Sequence, residues 1–368
     1  MENTIRVLQI GMYNNLGGIE TFLYNYYRKI DKEKVQFDFI NMYDKICFQE
    51  ELINLGAKIH NVTNVKINPI KCKKEIVRLI KANKYEIVHI NMLSAANVIP
   101  LIAAKKAGVK VIIAHSHNAN TPKNIIKKFL HKVNKRIILS SATHYFACSE
   151  KAGKWLFGES NSNRVTVVNN AVEVEKFTFN KELRRAYREL EQLDNKFVIG
   201  HVGRFSEQKN HDFLIDIFKS IYDRNNNSVL LLIGIGELED TIRKKVKKLG
   251  LEENVKFLGL REDVNNLYNV MDVFLLPSLF EGLPIVGVEA QISGLKCIFS
   301  DTITPEVKLT DNCKFISLDD SVEKWADIVL EAVGNYSRNN INEVLEKSCY
   351  DINAQARAIE KFYLDACK

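Results

Sequence analysis

Residues 273–300 read VFLLPSLFEGLPIVGVEAQISGLKCIFS. Val273–Pro277 is a short continuous apolar run, Ser278 to Gly282 form a loop, and Leu283 onward has the character of a helix start. Pro284 suits the first helical turn, where a missing N–H costs no hydrogen bond. Gly294 is placed to end that helix in a left-handed backbone, and Lys296–Ser300 is a second apolar run. Unbroken apolar runs, as opposed to strict alternation, mark strands covered on both faces. Strand, loop, helix and strand in succession is the repeating unit of a parallel, doubly wound sheet.

Working outward, further runs of this kind occur at Phe197–Val202, Val229–Ile233 and Val255–Leu258. Toward the N-terminus they recur at Arg6–Ile10, Phe37–Asn41, Ile59–Val62, Ile87–Ile90, Val111–Ala114, His144–Ala147 and Val165–Val168. Glu75–Asn83 and Asp212–Arg224 have the pattern of intervening helices. The alternation breaks at Val174–Lys196, whose polar stretch Asn180–Asp194 is helical in character and holds no strand. The expectation is an α/β chain of two Rossmann-like, doubly wound parallel-sheet domains, at residues 1–178 and 195–350. Amphipathic Asp351–Ala366 serves as a closing helix, with residues 351–368 packing back on the first domain. Ligands of such sheets sit beyond the carboxyl ends of the strands, so two sheets facing a central cleft would share one site.

The chain has 368 residues, 46% hydrophobic and 26% charged, enough for two cores. No apolar run reaches the ~18–20 residues that span a bilayer, and Met1–Ile10 lacks the regions of a signal peptide. A cytoplasmic protein is expected, peripheral on the inner membrane face if it meets lipid. Seven scattered cysteines without a C-x-x-C pair suggest reduced thiols. The net charge of +7 favours acidic partners.

Motifs cluster after strands. Glu281 lies in the loop after Val273–Pro277 and Glu289 about two turns into the following helix. Free N–H groups at a helix start hold phosphate oxygens, and carboxylates accept hydrogen bonds from sugar or ribose hydroxyls. The plain alternative is a solvated loop Glu and an ordinary helical Glu. Val202-Gly203-Arg204-Phe205 and Glu207-Gln208-Lys209-Asn210 follow another strand. Arg204 and Lys209 suit a diphosphate whose charge grows as a sugar–phosphate bond breaks, though surface cations are common. Gly17-Gly18-Ile19-Glu20 joins the first strand to a helix, and paired glycines admit close backbone approach or simply form a turn. His115 and His117 follow Val111–Ala114 and can hydrogen-bond a sugar, or be structural. They lack a third ligand of suggestive spacing, so no metal is expected.

Lys123–Arg136 sets Lys123, Lys127, Lys128, Lys132, Lys135 and Arg136 among Ile125, Ile126, Phe129, Leu130 and Val133. A basic amphipathic helix can lie on an anionic membrane surface or pack on its own sheet with a charged outer face. No nucleic-acid-binding pattern accompanies it, and none is expected as a partner.

In their order, these segments resemble the GT4 family of retaining glycosyltransferases with the GT-B fold. Gly17–Glu20, the His115-Ser116-His117 loop, Val168–Val172, Gly203-Arg204 with Lys209, Gly234-Ile235-Gly236, Phe257-Leu258-Gly259 and Glu281–Glu289 carry the resemblance over nearly the whole length. Two glutamates separated by seven residues are its most diagnostic feature. The chain looks like bacterial enzymes of capsule, exopolysaccharide or related glycan synthesis. The resemblance implies a nucleotide-sugar donor, most often a UDP-sugar, a glycan or lipid-linked acceptor, and no cofactor. It implies that Arg204 and Lys209 contact the diphosphate, Glu289 the ribose and Glu281 the donor sugar. Gly282, Leu283 and Pro284 would line phosphates and sugar, Gly17 and Gly18 would approach the donor phosphate, and Leu260 and Arg261 would meet the base. One histidine is functional in the family; His117 is preferred here and His115 retained. Asn170-Ala171 departs from the family's usual Asn-Gly. Front-face attack, with a donor phosphate oxygen taking the proton, would need no protein nucleophile. A nucleotide-sugar epimerase of the same fold and a non-catalytic nucleotide-sugar-binding protein are the alternatives.

Overall fold

The computed structural model describes residues 4–119, 124–332, 338 and 350–368. The chain divides into two compact units, residues 1–172 with 349–368, and residues 173–348.

The first unit holds a seven-stranded sheet of β1 (Ile5–Ile10), β2 (Val35–Asn41), β3 (Ile59–Asn61), β4 (Ile87–Met92), β5 (Val111–Ser116), β6 (His144–Ala147) and β7 (Val165–Val167), in the order β3-β2-β1-β4-β5-β6-β7. The second holds six strands, β8 (Phe197–Val202), β9 (Ser228–Ile233), β10 (Val255–Gly259), β11 (Val273–Leu276), β12 (Lys296–Ser300) and β13 (Cys313–Ile316), ordered β10-β9-β8-β11-β12-β13. Neighbouring strands pair in parallel throughout both sheets. The strand order reverses between β1 and β4 in one sheet and between β8 and β11 in the other. At such a switch point adjacent loops leave in opposite directions and open a crevice at the carboxyl ends.

Helices cover the sheets for reasons visible locally. In Pro69–Asn83 the Asn68 side chain caps the first turn by accepting the Lys71 N–H at 2.9 Å. Pro69 needs no N–H there, and Cys72, Ile76 and Ile80 recur every fourth residue on the buried face. In His211–Arg224, Leu214, Ile215, Ile217, Phe218 and Ile221 are buried in the second core. Each such burial is favourable by ~1.5–3 kcal/mol before entropy is counted.

Three features differ from the sequence expectation. The helix Lys181–Leu190 belongs to the second unit, whose first residue is Glu173. Arg184 and Arg188, one turn apart, both pair with Asp272, which also accepts the Val198 N–H at 2.8 Å. This clasp ties the polar stretch to the start of β8 and draws the boundary forward from residue 178. β13, a four-residue edge strand, is new. The helix after β11 begins at Ile285, with Pro284 as its cap in extended backbone at ψ 104°.

The chain's end returns to the first unit. Val172 bridges Asp351 in parallel, and Asp351 caps the helix Ile352–Ala366 by accepting the Asn353 and Ala354 N–H groups. Ile352, Ala356, Ile359 and Tyr363 on that helix join Tyr26, Phe37 and Phe146 in one core.

Candidate active site

Two loops at the second switch point carry the charged residues. The loop after β8 contains Gln208 and Lys209; the loop after β11 contains Ser278 and Glu281. Backbone and side chain clamp them together: the Leu279 N–H donates to Gln208 O at 2.8 Å, and Asn210 Nδ2 donates to Pro277 O at 3.1 Å. Lys209 Nζ then lies 2.6 Å from Glu281 Oε1, with 14% and 9% of the two side chains exposed. Glu281 also accepts from Ser278 Oγ at 3.1 Å and Gln208 Nε2 at 2.9 Å. Ser278 O is itself fixed by the hydroxyls of Ser300 and Thr302. The result is a rigid juxtaposition of one cation and one carboxylate at a strand end.

Glu289 is the fifth residue of the helix Ile285–Ile292, and Gly294 follows that helix at φ +71°. Part of Glu289 stays accessible, but its carboxyl is enclosed by protein. Desolvation pushes its pKa up to about 7, opposed by a hydrogen bond of 2.9 Å from the Tyr268 hydroxyl. Pro284 is buried, whereas Gly282 and Leu283 are half-buried. A Cβ at Gly282 would meet no atom within 4 Å, so the loop there faces open space.

Arg204 is exposed and is not in contact with the Lys209–Glu281 pair; its guanidinium binds Glu237 at 3.1 Å. Gly234 and Gly236 explain how Glu237 reaches it. A Cβ on Gly234, at φ +138°, would stand 2.2 Å from Gly203 O, and one on Gly236 would stand 2.4 Å from Phe205 O. Only bare backbone lets the loop after β9 lie against the loop after β8. Leu260 is exposed, while Arg261 is engaged by Asp263 at 2.7 Å and Glu191 at 3.5 Å.

Beneath Lys209 lie two histidines overlooked in the sequence. His201 Nδ1 donates to Leu275 O at 2.9 Å, and the His211 ring stacks on Phe205. Burial depresses both pKa values, His211 to about 4. Their signal was their position flanking the Gly203–Asn210 loop.

In the first unit, Gly17 caps the helix Gly18–Lys29, and Glu20 reaches back to accept the Tyr13 N–H at 2.8 Å. Glu20 thus shapes the loop after β1. His115, the penultimate residue of β5, is fully buried, and His117 lies just past the strand with its ring centre 4.0 Å from that of His115. His117 Nε2 lies 2.9 Å from Asn91 Oδ1. Desolvation lowers the pKa of His117 to about 3 and that of His115 well below the usual range, so both are neutral at physiological pH. Neither Asn170 nor Ala171 adopts a left-handed backbone, so alanine is tolerated at this turn without strain.

A cavity of about 650 Å³ opens at the carboxyl ends of β1, β2 and β4. Met12, Tyr43, Met92 and Ile99 give it an apolar lining, and Lys66 and Lys127 stand among its polar residues. Lys127, Leu130 and Asn134 reach it from the helix Ile125–Ser141. The next face of that helix is bare: Ile125, Ile126, Phe129 and Val133 are exposed, Ile125 by 82%. Lys123 lies outside the described residues. Among the described residues no helix is long and apolar enough to cross a membrane.

Two family descriptions match in tandem, Glycosyltransferase Family 4 over residues 16–176 and Glycosyl transferases group 1 over residues 184–347. EpsF of Bacillus subtilis, named as a glycosyltransferase, is 37% identical over 97% of this chain and 96% of its own length. The chain belongs to the GT4 family of glycosyltransferases. An Escherichia coli relative of this GT4 transferase, UDP-Gal:alpha-D-GlcNAc-diphosphoundecaprenol alpha-1,3-galactosyltransferase, is 28% identical over 81% of this chain and 80% of its own. The solved structure of Anabaena HepE with UDP and glucose superposes at a TM-score of 0.79, covering 97% of this chain and 99% of that one at 19% identity. The fold of the GT4 transferase is GT-B, two parallel-sheet Rossmann-like units.

Proposed function

We propose that this transferase moves a sugar, with retention of configuration, from a UDP-sugar to a lipid-linked or glycan acceptor in surface polysaccharide synthesis. The observation that carries the proposal is the Lys209–Glu281 pair at the second switch point, with Glu289 one helix beyond. Lys209 and Arg204 neutralise the diphosphate, Glu281 accepts from hydroxyls of the donor sugar, and Glu289 engages the ribose. Gly282, Leu283 and Pro284 border the phosphates and sugar. Exposed Leu260 lies against the base, with Arg261 beside it. The acceptor oxygen bonds to the anomeric carbon on the face from which the UDP oxygen departs. The departing phosphate oxygen takes the acceptor's proton. Positive charge comes from Arg204 and Lys209, so activity is expected to survive chelation of divalent metals.

The acceptor is assigned to the first unit. Its cavity combines an apolar lining with Lys66 and Lys127, a composition suited to a lipid phosphate. The bare apolar and basic face of Ile125–Ser141 suits the anionic inner face of the cell membrane, where such acceptors reside. The E. coli relative, named for a diphosphoundecaprenol-linked acceptor and a UDP-linked donor, supports the same choice.

The test is a panel of nucleotide sugars incubated with and without polyprenyl-diphosphate-linked sugars. Acceptor-dependent UDP release, with the donor's anomeric configuration kept in the product, is the expected result. An epimerised sugar formed without acceptor would instead identify an epimerase. Binding without turnover across the whole panel would leave a nucleotide-sugar-binding protein.

A further inference from the structure

Beneath the β5 loop, six side chains close a circuit of contacts that the transferase mechanism above does not use. Gln9 comes from β1, His89 and Asn91 from β4, His115 and His117 from β5 and the loop after it, and Tyr363 from the C-terminal helix. Tyr363 Oη lies 2.7 Å from His89 Nδ1, and His89 Nε2 lies 3.0 Å from His115 Nδ1. On the other side Gln9 Nε2 donates to Tyr363 Oη at 3.4 Å, and Asn91 Nδ2 donates to Gln9 Oε1 at 3.2 Å. Asn91 Oδ1 meets His117 Nε2, and the His117 ring packs on His115.

One backbone atom gives the circuit its direction. Asn91 Nδ2 also donates to Ile10 O at 3.3 Å, and a carbonyl can only accept. The Asn91 amide is thereby oriented, and its Oδ1 must receive the proton of His117 Nε2. Gln9 must turn its Oε1 to Asn91 and its NH₂ to Tyr363. The Tyr363 oxygen accepts from Gln9, and its own hydroxyl donates to His89 Nδ1. His89 then carries its proton on Nε2 and donates to His115 Nδ1, which leaves the His115 proton on Nε2. His115 Nε2 and His117 Nδ1 are the two ring nitrogens of the circuit that are buried without a partner. The first is a donor and the second an acceptor.

We propose that Tyr363 sets, through His89, which nitrogen of His115 is protonated, so that His115 and His117 present one donor and one bare acceptor to a substrate hydroxyl. A hydroxyl is the group that can receive from a donor and give to an acceptor at once. A buried unpaired N–H is unfavourable, and a circuit that holds it in place prepares the pair for its guest. Tyr363 and His89 are positioning residues. The hydroxyl guest rests on the transferase reading, whereas the proton placement does not.

The experiment is long-range ¹H–¹⁵N correlation NMR on the full chain labelled in histidine, free of ligand, because a bare ring nitrogen resonates far from a protonated one. Signals are assigned by replacing each histidine singly. The wild type should show His89, His115 and His117 all protonated at Nε2. Tyr363→Phe keeps the ring and removes the hydroxyl, and should move the proton of His89 or His115. Since a glutamine places an oxygen and an NH₂ where His89 has Nδ1 and Nε2, His89→Gln should preserve the His115 state. His89→Leu should lose it and lower kcat about tenfold below His89→Gln with nucleotide affinity unchanged. A His115 protonated at Nδ1 in the wild type, or unchanged in both Tyr363→Phe and His89→Leu, overturns the proposal. If the NMR states hold but both leucine and glutamine variants turn over alike, the substrate-hydroxyl role is overturned while the proton placement stands.

Discussion

Lys209 Nζ lies 2.6 Å from Glu281 Oε1, two side chains from loops that leave neighbouring strands at the point where the strand order reverses. Little of either side chain is exposed, so each is the other's main compensation for lost water. Removing one partner of such a pair costs ~3–5 kcal/mol because the survivor is left charged and buried. Lys209→Ala therefore changes stability as well as chemistry.

Arg204 separates the two effects. Its side chain is 72% exposed and its ion pair with Glu237 is a surface one, of a kind that contributes little to stability. Arg204→Ala should leave the urea midpoint unchanged and lower kcat by at least ~10²-fold, the usual loss for a group that stabilises charge in the transition state. Lys209→Ala should lower both, and Lys209→Ala with Glu281→Ala should regain part of the stability and none of the turnover. Denaturant curves and steady-state kinetics on the same preparations check this.

Glu289 gives a pH signature. Its pKa is pushed up to about 7 in the folded chain, above the ordinary carboxyl value of 4.5. Between those two values the folded state holds a proton that the unfolded state has released, so stability falls as pH rises through that window. Hydrogen bonding to ribose hydroxyls favours the ionised form, so UDP affinity should rise through pH 7. Glu289→Gln should flatten both slopes. Urea unfolding and calorimetric titration from pH 5.5 to 8 compare the two proteins, the titrations being corrected for the nucleotide's own ionisation.

Much of this was legible in the chain. The runs Phe197–Val202 and Val273–Pro277 declare buried parallel strands, and whatever follows them stands at the crevice, so Lys209 and Glu281 could be placed on the same rim. β13 escaped because Lys314 interrupts Cys313–Ile316, so no continuous apolar run marks it. The domain boundary escaped because Arg184 and Arg188 read as solvated charges until Asp272, more than eighty residues on, is brought beneath them. Tyr363 and His89 are 274 positions apart, and only the fold joins them. For the helix Ile125–Ser141 the spacing of apolar residues fits packing or membrane alike, and only the fold shows that Ile125, Ile126, Phe129 and Val133 are exposed.

Gly234 and Gly236 make a sharper test of backbone approach. An added Cβ at either would press on backbone oxygen at 2.2 and 2.4 Å, and backbone cannot rotate aside as a side chain does. Gly234→Ala and Gly236→Ala should each destabilise by ~1–3 kcal/mol and weaken UDP binding, since the displaced segment is the Gly203–Phe205 loop. Gly282→Ala, which meets nothing within 4 Å, should leave the melting temperature unchanged and affect the donor alone. Thermal melts with and without UDP distinguish these cases.

The proposed contact with a membrane surface rests on the exposed face of Ile125–Ser141 and is testable there. Ile126 and Phe129 are 68% and 65% exposed, with Lys127 and Lys128 between them. Burying one such apolar side chain in the interface is favourable by ~1.5–3 kcal/mol, roughly ten- to a hundredfold in partitioning. Phe129→Glu should weaken binding to vesicles containing anionic lipid by at least about tenfold, and Ile126→Glu with Phe129→Glu should abolish it. Neither side chain is part of a core, so melting temperature and turnover of a water-soluble acceptor should hold. Lys127 also borders the cavity, so the charge contribution is read through Lys128→Ala and Lys132→Ala, which should weaken binding most at low salt, where screening is least. Co-sedimentation with neutral and anionic vesicles across a salt series makes the measurement, and unchanged binding of the double glutamate variant would remove this helix from the membrane surface.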